Sequence, residues 1–205
     1  MRKTLSPAPQ VRGPSDHEVR DQIVQAATAY FGLYGYEKTT VSDLAKAIGF
    51  SKAYIYKFFD SKQAIGEVIC ANRLSVIMAA VDAAVGTSGA APERLRRMFK
   101  ALVEAGSELF FRDRKLWDIA TTSATEMWPS ARAYDHHMRH LITQIVREGR
   151  EAGDFERKTP LDEAANAIYL VMRPYVNPLL LQHNLDGAAE ATGQLSSLVL
   201  RSLAP

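Results

Sequence analysis

The chain has 205 residues, of which 47% are hydrophobic and 23% are charged, and its formal net charge is +2. This is the composition of a globular protein with a sizeable core, and it excludes both a disordered chain and a polycation. No uninterrupted apolar run approaches the ~20 residues of a membrane span, and the single cysteine, Cys70, cannot form an internal disulfide. The sequence therefore predicts a cytoplasmic protein that does not associate with a membrane.

The order of elements along the chain predicts an all-α fold. Residues 1–15 are rich in proline and basic residues and have no periodicity, which predicts a disordered tail. Beyond them no sustained alternation and no hairpin turn indicates a strand. We predict about nine helices, arranged as a small N-terminal domain over residues 16–66 and a larger helical domain over residues 67–205.

The first four predicted helices begin and end at recognisable signals. The first helix carries one apolar stripe and ends at Gly35, and the second ends at Gly49, where a left-handed turn is expected. The third is predicted over Lys52–Phe59. A hydroxyl side chain that can cap the free amides precedes each of the three later helices. These capping residues are Thr40, Ser51 and Ser61.

Two short capped helices joined by a tight turn form a helix-turn-helix motif, with the turn at Gly49. The predicted outward face of the third helix carries basic, hydroxyl-bearing or small side chains, which suit contacts to phosphates and base edges. These are Lys52, Ala53, Tyr54, Tyr56 and Lys57. Lys62 lies in the first turn of the next helix, where the helix dipole disfavours a cation and a nearby phosphate would compensate. The motif predicts binding of double-stranded DNA.

The stretch TVSDLAKAIGFSKAYIYKFFDSK, from Thr40 to Lys62, is similar to the DNA-binding domain of the tetracycline-repressor (TetR) family of transcriptional regulators. The preceding stretch from Ala27 to Gly35 resembles the end of that family's first helix, and the likeness covers roughly residues 20–66. It implies phosphate contacts from Thr40, Tyr56 and Lys62. It also implies base or backbone contacts from Ser51, Lys52, Ala53, Tyr54 and Lys57. Because the family commonly has Gly-Thr where this chain has Ala53-Tyr54, the base preference does not carry over.

Beyond a break at residues 86–92, five further helices are predicted. Their approximate ranges are 92–110, 113–127, 130–152, 160–182 and 186–203. Pro174 and Pro178 lie four residues apart in the fourth of these ranges and should kink or split that helix.

Aromatic and methionine side chains are frequent between residues 98 and 138. Core packing explains most of them, but a subset could line an apolar cavity for a small-molecule effector, and the sequence leaves both readings open. The predicted pocket residues are Phe110, Trp117, Thr121, Trp128, Tyr134, His137, Met138 and Tyr169.

His136, His137 and His140 form a histidine cluster, and the first and last are four residues apart on one helix face. No cysteine or second motif accompanies them, so we predict no metal site. No nucleophile-elbow pattern or glycine-rich loop is present. We therefore predict neither an enzyme nor a bound cofactor.

The last two predicted helices are amphipathic, and their apolar faces could either cover the subunit's own core or pair with a second subunit. The predicted interface residues are Ala165, Ile168, Met172, Leu195, Leu198 and Val199. We favour a homodimer because one helix-turn-helix reads too few bases for useful specificity. The expected function is that of a ligand-responsive repressor on a palindromic operator. The alternative is a binding module whose helix-turn-helix no longer reads specific DNA.

Overall fold

The computed structural model describes residues 15–112 and 114–205, and these residues form ten helices and no strand. The all-α prediction is confirmed, and all of the predicted tail except Ser15 lies outside the described residues. The helices are α1 (Asp16–Tyr34), α2 (Val41–Ile48), α3 (Lys52–Ile55), α4 (Lys62–Val85), α5 (Ala91–Arg112), α6 (Trp117–Thr125), α7 (Pro129–Ala152), α8 (Leu161–Val176), α9 (Pro178–Leu181) and α10 (Ala188–Ser202).

The predicted capping residues start α2, α3 and α4. Thr40 forms a reciprocal capping box with Asp43, and the Ser51 and Ser61 hydroxyls accept hydrogen bonds from the amides of the third helical residues. Gly49 ends α2 with a φ of 73°, a left-handed conformation that suits glycine. α3 is shorter than predicted, because after Ile55 the backbone continues in turns rather than in a regular α-helix.

The predicted split near the two prolines occurs at Pro178 and not at Pro174. Asn177 adopts an extended conformation and its side chain accepts a hydrogen bond from the Leu179 amide, so a new short helix begins at Pro178. Pro174 lies inside α8, which continues to Val176. This split raises the number of described helices from the predicted nine to ten.

α4 is the helix that joins the two predicted domains, because it runs across the boundary expected at residue 66. By length and composition alone it is also long and apolar enough to cross a membrane. It packs against α1, α5, α6 and α7, and its inner side chains are buried there, including Ile65, Ile69 and Val81. These contacts are those of a core helix in a helical domain.

Candidate nucleic-acid interface and effector cavity

The N-terminal helices are held together by a compact apolar core. Phe31 of α1, Leu44 of α2 and Ile55 of α3 are fully buried, and Ile23 and Phe59 pack in the same core. Because these residues anchor the inner sides of α2 and α3, the opposite side of α3 is left facing solvent.

The solvent side of α3 and of the turn after it presents the predicted cations and the Tyr56 hydroxyl. Lys52, Ala53 and Lys57 are exposed, and the Tyr56 side chain is 41% exposed. The Lys52 ammonium lies 5.8 Å from the centroid of the Tyr56 ring. Two cations and a phenol therefore share one surface, a combination that suits phosphate contacts.

Thr40 and Ser51 are exposed, and their hydroxyls act as helix caps. The Thr40 hydroxyl accepts from the Asp43 amide at 3.2 Å, and the Ser51 hydroxyl accepts from the Tyr54 amide at 3.0 Å. The Asp43 carboxyl accepts from both the hydroxyl and the amide of Thr40, and these bonds lower its pKa. Both hydroxyls stand at helix N-termini, where phosphate oxygens bind favourably.

Tyr54 departs from the predicted outward position. Its half-buried ring lies between Phe50 and Phe58, with centroid distances of 5.0 and 5.3 Å and nearly perpendicular planes. Tyr54 and Phe58 are four positions apart within the predicted helix Lys52–Phe59, so their spacing already indicated this contact. Phe50 precedes the Ser51 cap, and the turn between α2 and α3 brings it to the Tyr54 ring. Lys57 lies 5.5 Å from the Tyr54 ring centroid and covers it from the solvent side.

Lys62 makes a defined contact inside the protein. Its ammonium donates to the Tyr36 carbonyl at 3.0 Å and lies 4.2 Å from the centroid of the Tyr36 ring. The carbonyl and the ring both stabilise the cation near the N-terminus of α4. Because an ammonium has three donors, the same group can still reach a phosphate.

A mostly apolar cavity lies between α4, α5, α6, α7, α8 and α9. It comprises about 560 Å³ including its open mouth, but only about 30 Å³ is wide enough for the centre of a water molecule. The cavity is therefore a set of narrow clefts. The lining side chains are Ile69, Cys70, Arg73, Leu74, Ile77, Gly106, Leu109, Leu116, Trp117, Ile119, Ala120, Tyr134, Tyr175, Val176, Pro178 and Leu181.

Two of the eight predicted pocket residues, Trp117 and Tyr134, belong to this lining. Three others lie close to it but are used for packing or local bonds. Phe110 packs edge-on against Trp117 with a centroid distance of 5.1 Å, and Met138 is fully buried in the core. The Thr121 hydroxyl donates to the Asp118 carbonyl within α6.

The histidines and Tyr169 also lie outside the lining. His137 contacts Asp82 at 2.8 Å and so links α7 to α4, while the Tyr169 hydroxyl donates to Asp135. The His136 and His140 rings stack in parallel on the exposed side of α7. Within residues 15–112 and 114–205, no group of three or more His, Cys, Asp or Glu side chains is placed to hold a metal ion.

The remaining predicted pocket residue, Trp128, sits where the helix-turn-helix domain meets the larger domain. Its ring lies 5.8 Å from the Tyr36 ring, and both rings contact Gly66 of α4. A Cβ atom at Gly66 would lie 2.9 Å from Tyr36 Cε2 and 3.2 Å from Trp128 Cη2, so glycine permits the close approach. Burial raises the pKa of Tyr36 to about 12, and its phenol therefore stays neutral.

A polar cluster fastens α7 to α4 beside this junction. The Glu67 carboxylate accepts hydrogen bonds from the Ser130 amide at 2.5 Å and from the Ser130 hydroxyl at 2.9 Å. The Ser130 hydroxyl also lies 3.2 Å from that of Ser123. Burial raises the pKa of the adjacent Cys70 thiol, which keeps it neutral and unreactive.

The predicted dimer residues divide into an inner and an outer set. Ala165, Ile168, Met172 and Val199 are buried in the subunit's own core, and Leu195 is half-buried. The periodicity identified an apolar stripe but did not distinguish the side that the subunit covers itself. Leu198, at 56% exposure, lies on the outer side of α10, and Leu170, at 50%, is a further exposed leucine on α8.

Comparison with known proteins follows the same division of the chain. Residues 23–68 match the family described as bacterial regulatory proteins, tetR family. Residues 91–195 match the family described as tetracyclin repressor-like, C-terminal domain. The biofilm operon negative transcriptional regulator IcaR of Staphylococcus aureus is 41% identical over 49 residues, which cover 24% of this chain and 26% of that regulator. The chain thus matches only about a quarter of that relative's length.

Solved structures match over nearly the whole chain. The TetR family regulator PfmR of Thermus thermophilus is 29% identical with a TM-score of 0.61, and the match covers 90% of this chain and 100% of PfmR. FadR of the same organism, solved in complex with lauroyl-CoA, is 21% identical with a TM-score of 0.63 and coverages of 91% and 95%. The chain belongs to the tetracycline-repressor family of transcriptional regulators, which are not enzymes.

Proposed function

We propose that this protein is a cytoplasmic, homodimeric repressor that binds a palindromic operator and releases it when a small, largely apolar effector enters the cavity. One observation carries the proposal: α4 begins beneath the helix-turn-helix and then forms a wall of the cavity. A shift of this one helix reaches both sites. Effector binding can therefore change the spacing of the two DNA-binding domains without touching a base contact.

The exposed side of α3 supports the DNA-binding part of the proposal. In a two-fold dimer, the two α3 helices would enter successive major grooves about 34–36 Å apart. Lys52, Tyr56 and Lys57 would then contact phosphates, while Ala53 and the edge of Tyr54 lie nearest the bases. Lys62 would contact a phosphate and hold Tyr36 at the same time.

The shape of the cavity supports release on ligand binding. With about 30 Å³ wide enough for water, the clefts hold on the order of two water molecules and cannot admit an effector as they stand. An effector can therefore enter only when the surrounding side chains and helices move. Binding of lauroyl-CoA by the structurally similar FadR of Thermus thermophilus is consistent with a largely apolar ligand for this fold.

The exposed leucines of α8 and α10 support the homodimer. Leu170 and Leu198 are each at least half exposed on helices whose inner faces are already buried. Pairing these helices with their symmetry mates would form a four-helix interface that removes both side chains from water.

Selection of bound DNA from the source organism tests the proposal directly. Purified protein is mixed with sheared genomic DNA at moderate salt, and the retained fragments are sequenced. We expect one or a few palindromic sites. Retention of random fragments, or of none, would instead favour the alternative of a binding module with a repurposed helix-turn-helix.

The salt dependence of operator binding tests the phosphate contacts one at a time. Lys57→Ala should lower the slope of log affinity against log salt concentration by about 0.9 per subunit, because one phosphate contact is lost. Lys62→Ala should lower the slope by the same amount and should also lower the melting temperature, since the Tyr36 contact is lost as well. If the slope of the Lys62→Ala protein is unchanged, Lys62 does not contact a phosphate, and its role is limited to the contact with Tyr36.

A further inference from the structure

Three chain segments meet at the junction between the helix-turn-helix domain and the larger domain. The turn between α1 and α2 supplies Tyr36, the second turn of α4 supplies Gly66, and the corner between α6 and α7 supplies Trp128. The Trp128 side chain is almost completely buried in the socket formed by Tyr36 and Gly66. This socket is a direct contact between the α6–α7 corner and the DNA-binding domain, in addition to the connection through α4.

The backbone of this corner contains a left-handed residue that is not glycine. Met127 has a φ of 55°, and it is the one non-glycine residue with a positive φ in residues 15–112 and 114–205. The left-handed conformation is unfavourable for a residue with a Cβ atom, and a β-branched residue tolerates it least. The Met127 side chain is 51% exposed, so its own packing does not explain the conformation. The conformation is instead that of a helix C-cap, because the Trp128 amide donates to the Ser123 carbonyl and Met127 closes α6 as Gly49 closes α2. The same cap fixes the direction of the next residue, Trp128.

This corner lies at the end of a helix that borders the cavity. Trp117, Ile119 and Ala120 of α6 line the cavity, and α6 ends at Thr125, two residues before Met127. The Trp128 amide donates to the Ser123 carbonyl at 2.9 Å and ties the corner back to the last turn of α6. When an effector widens the cavity and moves α6, the corner must therefore move with it.

We infer that Trp128 is a positioning residue: its insertion between Tyr36 and Gly66 holds the DNA-binding domain in its operator-binding orientation. Relaxation of Met127 to an ordinary right-handed conformation withdraws the ring. This inference rests on the proposed function and specifies its regulation, because it assigns the transmission of the effector signal to the α6–α7 corner as well as to α4.

Substitutions at Met127 test the inference through backbone preference alone. All variants carry Trp117→Phe, which leaves Trp128 as the single tryptophan. Met127→Ile should lower affinity for the recovered operator about fivefold, since a β-branched residue resists the left-handed conformation. Trp128 fluorescence should shift to longer wavelength as the ring meets water. Leucine is an isomer of isoleucine without the β-branch, so Met127→Leu should have the operator affinity of the protein with Met127. Met127→Gly should bind the operator at least as tightly.

The slope of log operator affinity against log salt concentration distinguishes the positioning role of Trp128 from a loss of phosphate contacts. It should stay unchanged in the isoleucine variant, because no phosphate contact is altered. Equal affinity and equal emission in the isoleucine and leucine variants would overturn the inference while leaving the proposed function intact. Failure of the genomic selection to recover any specific site would contradict the proposed function itself.

Gly66→Ala changes the same socket from its α4 side. It provides a second test of the inference if the Met127→Ile variant does not fold. Its methyl group would lie within 3.2 Å of both rings, so the rings must separate. Lower operator affinity together with red-shifted Trp128 emission is the expected result. Unchanged affinity despite a red shift would show that the position of Trp128 does not govern operator binding.

Discussion

Replacing Leu198 by glutamate is expected to convert the proposed dimer into monomers and to weaken operator binding by at least about a hundredfold. In a two-fold interface the substitution occurs twice, and each carboxylate would be buried without a partner at a cost of about 3–5 kcal/mol. Each 1.4 kcal/mol corresponds to a tenfold change in an equilibrium constant. Light scattering coupled to size-exclusion chromatography measures the mass, and operator titration measures the affinity.

Val76→Glu is the matched control for this substitution. Val76 is also an exposed apolar helical residue, but it lies on α4 and not on the α8 and α10 faces assigned to the dimer. We expect this variant to remain a dimer and to bind the operator normally. A Leu198→Glu protein that keeps the mass of a dimer would remove the outer face of α10 from the interface.

Gly149→Ala is expected to destabilise the larger domain by about 3 kcal/mol, because the added methyl group meets atoms on two sides. Its Cβ would lie 2.3 Å from Phe155 Cδ2 and 2.7 Å from the Cβ of Ala91. The Phe155 ring and the start of α5 must both shift to make room. For a chain of this size the melting temperature should fall by roughly 6–12 °C, as measured by thermal unfolding followed by circular dichroism.

Gly193→Ala adds the same methyl group at a position with open space around it, so it should raise the melting temperature rather than lower it. Gly193 lies within α10, and no atom falls within 4 Å of its ideal Cβ position. Alanine is a better helix former than glycine by up to about 1 kcal/mol, so a small rise in melting temperature is expected. A melting temperature for Gly149→Ala that equals that of the unsubstituted protein would mean that Phe155 adjusts without cost.

Local signals in the sequence were enough for the starts of α2, α3 and α4 and for the helix-turn-helix motif. The capping hydroxyls Thr40, Ser51 and Ser61 lie within three residues of the amides that they bond, and Gly49 supplies its own left-handed turn. Such interactions depend only on neighbours in the chain, so the residue types at those spacings predict them. The helix-turn-helix, with Lys52 in α3 and Lys57 in the turn after it, therefore follows from the sequence alone.

The cavity and the junction were decided by tertiary structure. Trp117 and Trp128 are chemically equivalent in the sequence, yet one lines the cavity and the other fills the socket between Tyr36 and Gly66. The apolar stripes of α8 and α10 likewise predicted burial without saying whether the subunit or its partner covers each side chain. These assignments depend on how six helices converge, and helical periodicity specifies which face is apolar but not what that face meets.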